Sequence, residues 1–499
     1  MSKRLPHFPK RIYGWSRSAA LLLPIFSVPH TAPGNFYAAE KLLPFFSKAG
    51  IRWWKLLPLT IPDNTGSPYA SPSGFALNWN FISSEILLAQ GWLTPTEVAT
   101  RRPRRTASRQ VWDRYWRRLL WQAGERFLAE AGPVEQRRLE SFRQREEYWL
   151  DDFSLFAALK DRFGQRPWWE WPANYQDVDR ARAHTDERLR RRQNWHIFVQ
   201  WVAREQWDEL HRVAKKSGVR FIGDLPFFVR NDSADVWANQ KLFSLTEGGR
   251  VEVGTGAPPD AFARGGQWWG NPQYRWAAHR RNGFRWWKRR LAYQHQLYDA
   301  LRLDHYQGFF RTWAIPGRSR QPKHGQWMTT PPQLRSLLRL TARPMIAEDL
   351  GAWYPPMNTT RKKQGLLGTR LWEFGWSGYP DTPHRPDHVT SDTIYCSSNH
   401  DQVPIRGWWR TTKKSEVHHA RLWYKVAGFP QEKVLKTIAD SSAILAVYMI
   451  QDLRGYGVAG AINRPGGQRG NWCWQAKAED FTSAQASIVR RLLEQSERL

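Results

Sequence analysis

Three short apolar runs each end on a carboxylate: Ala-Leu-Arg-Leu before Asp304, Pro-Met-Ile-Ala before Glu348, and Thr-Ile-Tyr-Cys-Ser-Ser-Asn-His before Asp401. A fourth, Val-Arg-Phe-Ile-Gly, ends at Asp224. Two carboxyl groups in unlike surroundings are the working parts of glycosidic bond cleavage, one as nucleophile or base and the other as acid. Arg302 stands two residues before Asp304, so on a strand both side chains face one side. A guanidinium there is expected to keep Asp304 ionised. Glu348 and Asp349 are adjacent and on a strand point to opposite sides, so only one can face a site directly. The sequence has no His-Glu-x-x-His cluster, and Gly254-Thr255-Gly256 alone is no nucleotide fingerprint. Neither a metal nor an organic cofactor is expected.

Acids placed repeatedly beyond buried strands require a fold that gathers strand ends around one pocket, as a parallel α/β barrel does. The order of elements fits. Residues 20–28 read as a strand, 38–48 as a helix and 51–59 as a second strand closed by Pro62-Asp63. Residues 95–195 are charged and helical and read as an insertion, followed by a helix over 198–216 and a strand over 219–222. Residues 230–283 form a Gly/Pro-rich excursion, too long for a plain connection. Alternation then resumes: helix 285–300, strand 301–303, helix 331–339, strand 344–347 and helix 431–439. The apolar run 443–450 reads equally as a helix or a buried strand, and a Gly-rich loop, 454–472, follows it. The expected architecture is one α/β domain over 1–499, a (β/α)8 barrel with largely helical insertions and the 230–283 segment lying over the site.

Composition narrows the function. The chain is 41% apolar and 24% charged, which is globular. Cys396 and Cys473 are too few for a disulfide framework, so free thiols and the cytoplasm are expected. Lys3, Arg4, Lys10 and Arg11 precede Ala-Ala-Leu-Leu-Leu-Pro-Ile-Phe, but that stretch is short and carries Pro24, so it reads as a buried strand rather than a signal. No run reaches the roughly 18 apolar residues of a membrane helix. The net charge is +30, densest at Arg101, Arg102, Arg104, Arg105, Arg109, Arg114, Arg117 and Arg118. Trp116, Leu119, Leu120 and Trp121 make that segment an amphipathic helix, and no nucleic-acid-binding signature accompanies the charge. The 31 Trp residues serve packing first, though a flat indole face also suits a sugar ring.

Longer motifs are more specific. They include Leu22-Leu23-Pro24, Ser67-Pro68-Tyr69 with Ser71, Ser73, Phe75 and Asn78, and Trp149-Leu150-Asp151-Asp152-Phe153 leading to Trp169-Glu170-Trp171-Pro172. The densest stretch runs from Gly223-Asp224-Leu225-Pro226 through Ser233-Ala234-Asp235-Val236-Trp237 and Pro258-Pro259-Asp260 to Gly266-Gln267-Trp268-Trp269-Gly270-Asn271-Pro272. Arg302-Leu303-Asp304-His305-Tyr306-Gln307-Gly308, Ala347-Glu348-Asp349-Leu350-Gly351, Asn399-His400-Asp401, Asn463-Arg464-Pro465-Gly466 and Gly470-Asn471-Trp472 complete the series. In this order they resemble the 4-α-glucanotransferases of the amylomaltase or disproportionating-enzyme type, within the α-amylase clan. Ala32-Pro33-Gly34-Asn35 replaces that family's Gly-Ile-Gly-Asp, and Gln402 stands where Asn is usual.

The resemblance implies a (β/α)8 barrel without a separate C-terminal β-domain. It also implies transfer of α-1,4-glucan segments between maltooligosaccharides or to glucose, as in starch and glycogen metabolism, by a retaining double displacement. By motif position Asp304 is the nucleophile, Glu348 the acid/base and Asp401, beside His400, the group that binds ring hydroxyls. Tyr69 is the stacking platform, Trp269 an acceptor-side contact, and Asp224 a brace for the site. Arg302, Asn271 and His305 complete the substrate-binding set. Hydrolysis by the same residues is the nearest alternative, and a non-catalytic glucan or polyanion binder is one of another class.

Overall fold

Runs rich in Ala, Leu, Val and Trp, with no polar side to give to solvent, suit a parallel sheet covered on both faces. In the computed structural model, which describes residues 11–259, 264–340, 343–351, 354–467 and 470–499, eight of them form that sheet. They are β1 (Ser18–Leu22), β2 (Trp53–Lys55), β3 (Arg220–Leu225), β4 (Ala300–Leu303), β5 (Met345–Ala347), β6 (Gly368–Leu371), β7 (Thr393–Cys396) and β8 (Leu445–Met449). Lys3, Arg4 and Lys10 of the basic amino-terminal stretch, and Asp260 of the Pro-Pro-Asp motif, lie outside the described residues. Neighbouring strands pair in parallel, and β8 returns to β1 with Ser18 opposite Leu445 and Leu22 opposite Met449. The β5–β6 seam is closed by a bridge between Ile346 and Leu367 and by Ala347 N donating to Leu367 O at 2.7 Å. The result is a (β/α)8 barrel, and the described chain after β8 adds helical segments but no further strand.

Side-chain alternation divides the core in two. Ala20, Leu22, Trp53, Ile222, Ala300, Ile346, Ile394, Cys396, Val447 and Met449 fill the barrel interior. Leu21, Trp54, Phe221, Leu301, Ala347 and Tyr448 face the surrounding helices. The first strands are shorter than their apolar runs. The 20–28 run leaves the sheet after Leu22, because Pro24 has no N–H to donate, and turns through Ile25–Ser27. The 51–59 run is paired only over Trp53–Lys55. The helix read at 38–48 is two, Phe36–Glu40 and α1 (Leu43–Ala49), the second opened by Pro44 in its first turn. The 443–450 run resolves as β8.

Three long helices, α2 (Arg109–Glu130), α3 (Pro133–Arg162) and α4 (Glu187–Lys216), make up most of the excursion between β2 and β3. Much of the arginine charge is used inside it. Arg117 and Arg192 both pair with Asp161, Arg126 pairs with Glu97 at 2.9 Å, and Arg118 donates to the carbonyls of Glu97 and Thr100. The 230–283 segment is more regular than its Gly/Pro content suggests. Val253–Ala257 and Gln267–Pro272 join Arg311–Pro316 and Gln326–Thr329 in a four-stranded antiparallel sheet. Gly254 is required there, since a Cβ would lie 2.2 Å from the Trp268 ring. Among the described residues no helix is long and apolar enough to cross a membrane.

At the amino-terminal end of the barrel two buried arginines satisfy backbone carbonyls. Arg498 donates to Ser18, Ala439, Ser441 and Ala443, and Arg17 to Ala439, Ser441, Ala443 and Ser496. Carbonyls left unpaired in an apolar setting lose the full value of their solvation. Arg17 also reaches the Ala439, Ser441 and Ala443 carbonyls, so Arg498→Ala chiefly removes the partner of Ser18 O and is expected to cost about 1–3 kcal/mol of stability, read as a lowered urea midpoint, with Arg498→Lys recovering only part because one ammonium cannot span the same carbonyls.

Candidate active site

The carboxyl ends of the strands meet at the opposite mouth of the barrel. Asp224 ends the inward row of β3, Asp304 and Glu348 directly follow β4 and β5, and Asp401 sits in the loop after β7. An open pocket of about 970 Å³ is lined by Tyr69, Phe228, Trp269, Asn271, Asp304, His305, Glu348, His400 and Asp401. All but two of the side chains singled out from the sequence therefore face one space. The exceptions, Asp224 and Arg302, lie buried directly beneath it.

The β3–β4 register places Asp224 opposite Arg302. Arg302 Nη1 donates to Asp224 Oδ1 at 2.7 Å and Oδ2 at 2.9 Å, and to Asp304 Oδ1 at 2.9 Å. Tyr69 O–H donates to Asp224 Oδ2 at 2.8 Å and lies 2.9 Å from His400 Nε2. Since the phenol proton is given to Asp224, the imidazole proton resides on Nε2 and points to Tyr69 and to Asp401 Oδ2, 3.1 Å away. Asn463 Nδ2 donates to Asp401 Oδ1 at 2.7 Å. One hydrogen-bonded arc thus joins Asp304 to Asp401 through Arg302, Asp224, Tyr69 and His400.

Glu348 stands outside that arc. Its Oε2 accepts from His305 N at 2.9 Å and its Oε1 from Leu350 N at 3.2 Å. Burial pushes its carboxyl up to about 7, with the Asp304 charge adding to the rise and Arg302 opposing it. Burial also raises Asp304, against the direct pull of Arg302. Desolvation at the barrel mouth thus works against Arg302, which favours the ionised form of Asp304. Arg302 bonds Asp304 and not Glu348, so the negative charge is favoured on Asp304 and the proton on Glu348. Burial acts on Asp401 too, yet His400, Asn463 and Arg302 together hold it below the usual carboxylate range. Asp349 turns away from the pocket to Arg370 at 3.0 Å and Thr369 N at 2.7 Å.

Aromatic faces complete the walls. Tyr69 and His400 stack at 5.3 Å with an interplanar angle of 13°. The Trp472 ring lies 6.0 Å from each of them. Opposite, Trp269 meets His305 edge-on at 5.1 Å and Phe228 at 5.9 Å. His305 has φ 48°, a left-handed conformation uncommon outside glycine, which keeps its N–H on Glu348 while its ring turns to Trp269. The sequence reading did not single out Asn463, Trp472 or Phe228. The first two lie within the Asn-Arg-Pro-Gly and Gly-Asn-Trp motifs, the only signal available, and Phe228 is indistinguishable in sequence from its core neighbour Phe227. Among the described residues no three His, Cys, Asp or Glu side chains gather as a metal site.

A half-buried carboxylate paired with Arg302, a second carboxyl raised to about 7 by burial, a third carboxylate braced by His400, and aromatic walls suit acid-assisted substitution at a sugar carbon. Comparison with known proteins agrees. A family model described as 4-alpha-glucanotransferase matches residues 23–480. The 4-alpha-glucanotransferase of Aquifex aeolicus (strain VF5) is 34% identical over 490 residues, covering 96% of this chain and 98% of that protein. That of Thermus thermophilus is 32% identical over 474 residues, covering 92% and 94%. The structure of an amylomaltase from Streptococcus agalactiae in complex with acarbose superposes with a TM-score of 0.91 at 28% identity, covering 97% of this chain and all of that one. With the family model spanning nearly the whole barrel, the chain belongs to the 4-alpha-glucanotransferase family.

Proposed function

We propose that this enzyme moves α-1,4-glucan segments between maltooligosaccharides, or to glucose, by a retaining double displacement. Asp304 attacks the anomeric carbon and forms the glycosyl–enzyme bond while Glu348 gives its proton to the departing glucan oxygen. Glu348, now ionised, takes a proton from the incoming 4-hydroxyl, which displaces Asp304. Asp401 and His400 bind hydroxyls of the reacting sugar, and Tyr69 stacks beneath it. Trp269, with Phe228 and Asn271, receives the acceptor sugar and competes with water.

The observation that carries this reading is the division of roles between the two carboxyls. Asp304 is bonded by Arg302, whereas among the described residues Glu348 is bonded only by backbone N–H groups and is pushed up to about 7. The acarbose bound by the Streptococcus agalactiae relative is an oligosaccharide analogue of the right class for such a pocket. Maltotriose incubated with the enzyme is expected to give glucose together with a ladder of longer maltooligosaccharides, and none with Asp304→Asn. Shorter sugars alone would make the enzyme a hydrolase.

The acid must hold its proton for the first step, so kcat/KM is expected to fall as pH rises through about 7. The nucleophile must be ionised, so the acid limb is expected above the usual aspartate range, because burial raises Asp304. Glu348→Gln should lower the rate on maltotriose by about 10²- to 10⁴-fold. With an α-glucosyl fluoride donor, whose leaving group needs no proton, the same variant should keep glycosylation and lose the alkaline limb, whereas Asp304→Asn should fail with both donors.

A further inference from the structure

Arg109 opens α2, the first long helix of the insertion, and sits in the densest arginine segment of the chain. Its side chain does not stay within the insertion. Nη2 donates to the carbonyl of Trp472 at 3.0 Å, across 363 residues of sequence. The same guanidinium rests on Gly66: a Cβ there would lie 1.6 Å from Nη1 and 2.0 Å from Nη2. Gly66 belongs to a tight turn in which its N–H donates to Asp63 O and Asp63 Oδ1 accepts from Thr65 N and Ser67 N. Ser67 Oγ in turn accepts from Tyr69 N at 3.3 Å. One side chain therefore touches both the turn that leads to Tyr69 and the loop that carries Trp472.

Trp472 needs such a hold. Its φ of 61° is left-handed, a region that a bulky side chain rarely adopts without outside constraint. Its N–H donates to Ile462 O at 2.7 Å and its carbonyl receives Arg109, so both backbone polar groups of the residue are fixed. In that conformation the residue is 7% exposed and its ring packs against the Tyr69–His400 stack. We propose that Arg109 is a positioning residue for the donor sugar: it clasps the Tyr69 turn and the Trp472 loop together and so sets the aromatic face on which that sugar sits. The inference rests on the function proposed above. It also assigns a purpose to one member of the arginine cluster that the barrel itself does not require.

The test is a double-mutant cycle with maltotriose as donor and acceptor. Arg109→Ala is expected to raise KM about tenfold, the scale of one lost charge-assisted hydrogen bond, while kcat changes by less than about twofold. Gly66→Ala, which crowds the guanidinium while keeping Arg109 and also strains a backbone at φ 92°, should raise KM in the same direction and remains informative if Arg109→Ala does not fold. In the double variant the effect of Gly66→Ala should shrink, because the guanidinium it displaces is gone. An unchanged KM in Arg109→Ala, strictly additive effects, or a fall in kcat that only tracks the melting temperature would each overturn the proposal. Absence of transfer by the wild-type enzyme would instead sink the functional reading beneath it, and the Asp304→Asn control separates that case.

Discussion

A single buried guanidinium governs the charge of this site. The barrel brings Asp224, Asp304, Glu348 and Asp401 to one mouth, where like charges crowd together and partial desolvation raises their cost. Arg302 meets the problem by sharing one nitrogen between Asp224 and Asp304. Tyr69 takes up the remaining acceptor capacity of Asp224, His400 is thereby fixed in one tautomer, and Asp401 receives the imidazole proton. Glu348, the carboxyl left without a cation, absorbs the residual cost of burial as a raised affinity for a proton. The acid role proposed for it is thus a consequence of where Arg302 points.

The scaffold makes that arrangement rigid. Below the polar layer the barrel is filled with Ile, Val, Leu, Met and Trp, so the site has a dense floor. Lys55, buried on β2, adds a second cation among Arg302, Asp224 and Asp304, and burial lowers its own proton affinity. Above, the small antiparallel sheet delivers Trp269 over His305 from one side, while Tyr69 and Trp472 come from loops on the other. Chemistry is placed by short strands with little freedom, and sugar contacts by loops that other elements restrain.

The strand-end acids were legible because a buried parallel strand is a short apolar run with an abrupt polar end, and that signal survives without any structure. Alternation of elements therefore reached the barrel, and the motif order reached the family. Strand limits were less legible: the residues beyond Leu23 and beyond Leu56 keep the apolar character of a strand while leaving the ladder. The 230–283 strands were hidden because glycines chosen for close approach to Trp268 look like loop residues. The surroundings of Asp304 were only half legible, because sequence shows the neighbouring arginine but neither the desolvation that opposes it nor that Arg302 is shared with Asp224. Arg109 shows the same limit, since no local pattern announces a contact 363 residues away.

The pairing of β8 with β1 has a kinetic side. A barrel lacking its eighth strand is a curved open sheet with two unpaired apolar edges, and such edges recruit other chains as readily as their own partner. Here the closing contact joins residues near 18 to residues near 445, so loop closure over most of the chain must precede the reward of the final ladder. During synthesis the β1 edge stays open while every intervening element is made. The α3–α4 pair of the insertion, whose mutual contacts lie wholly within residues 133–216, needs none of that late ladder.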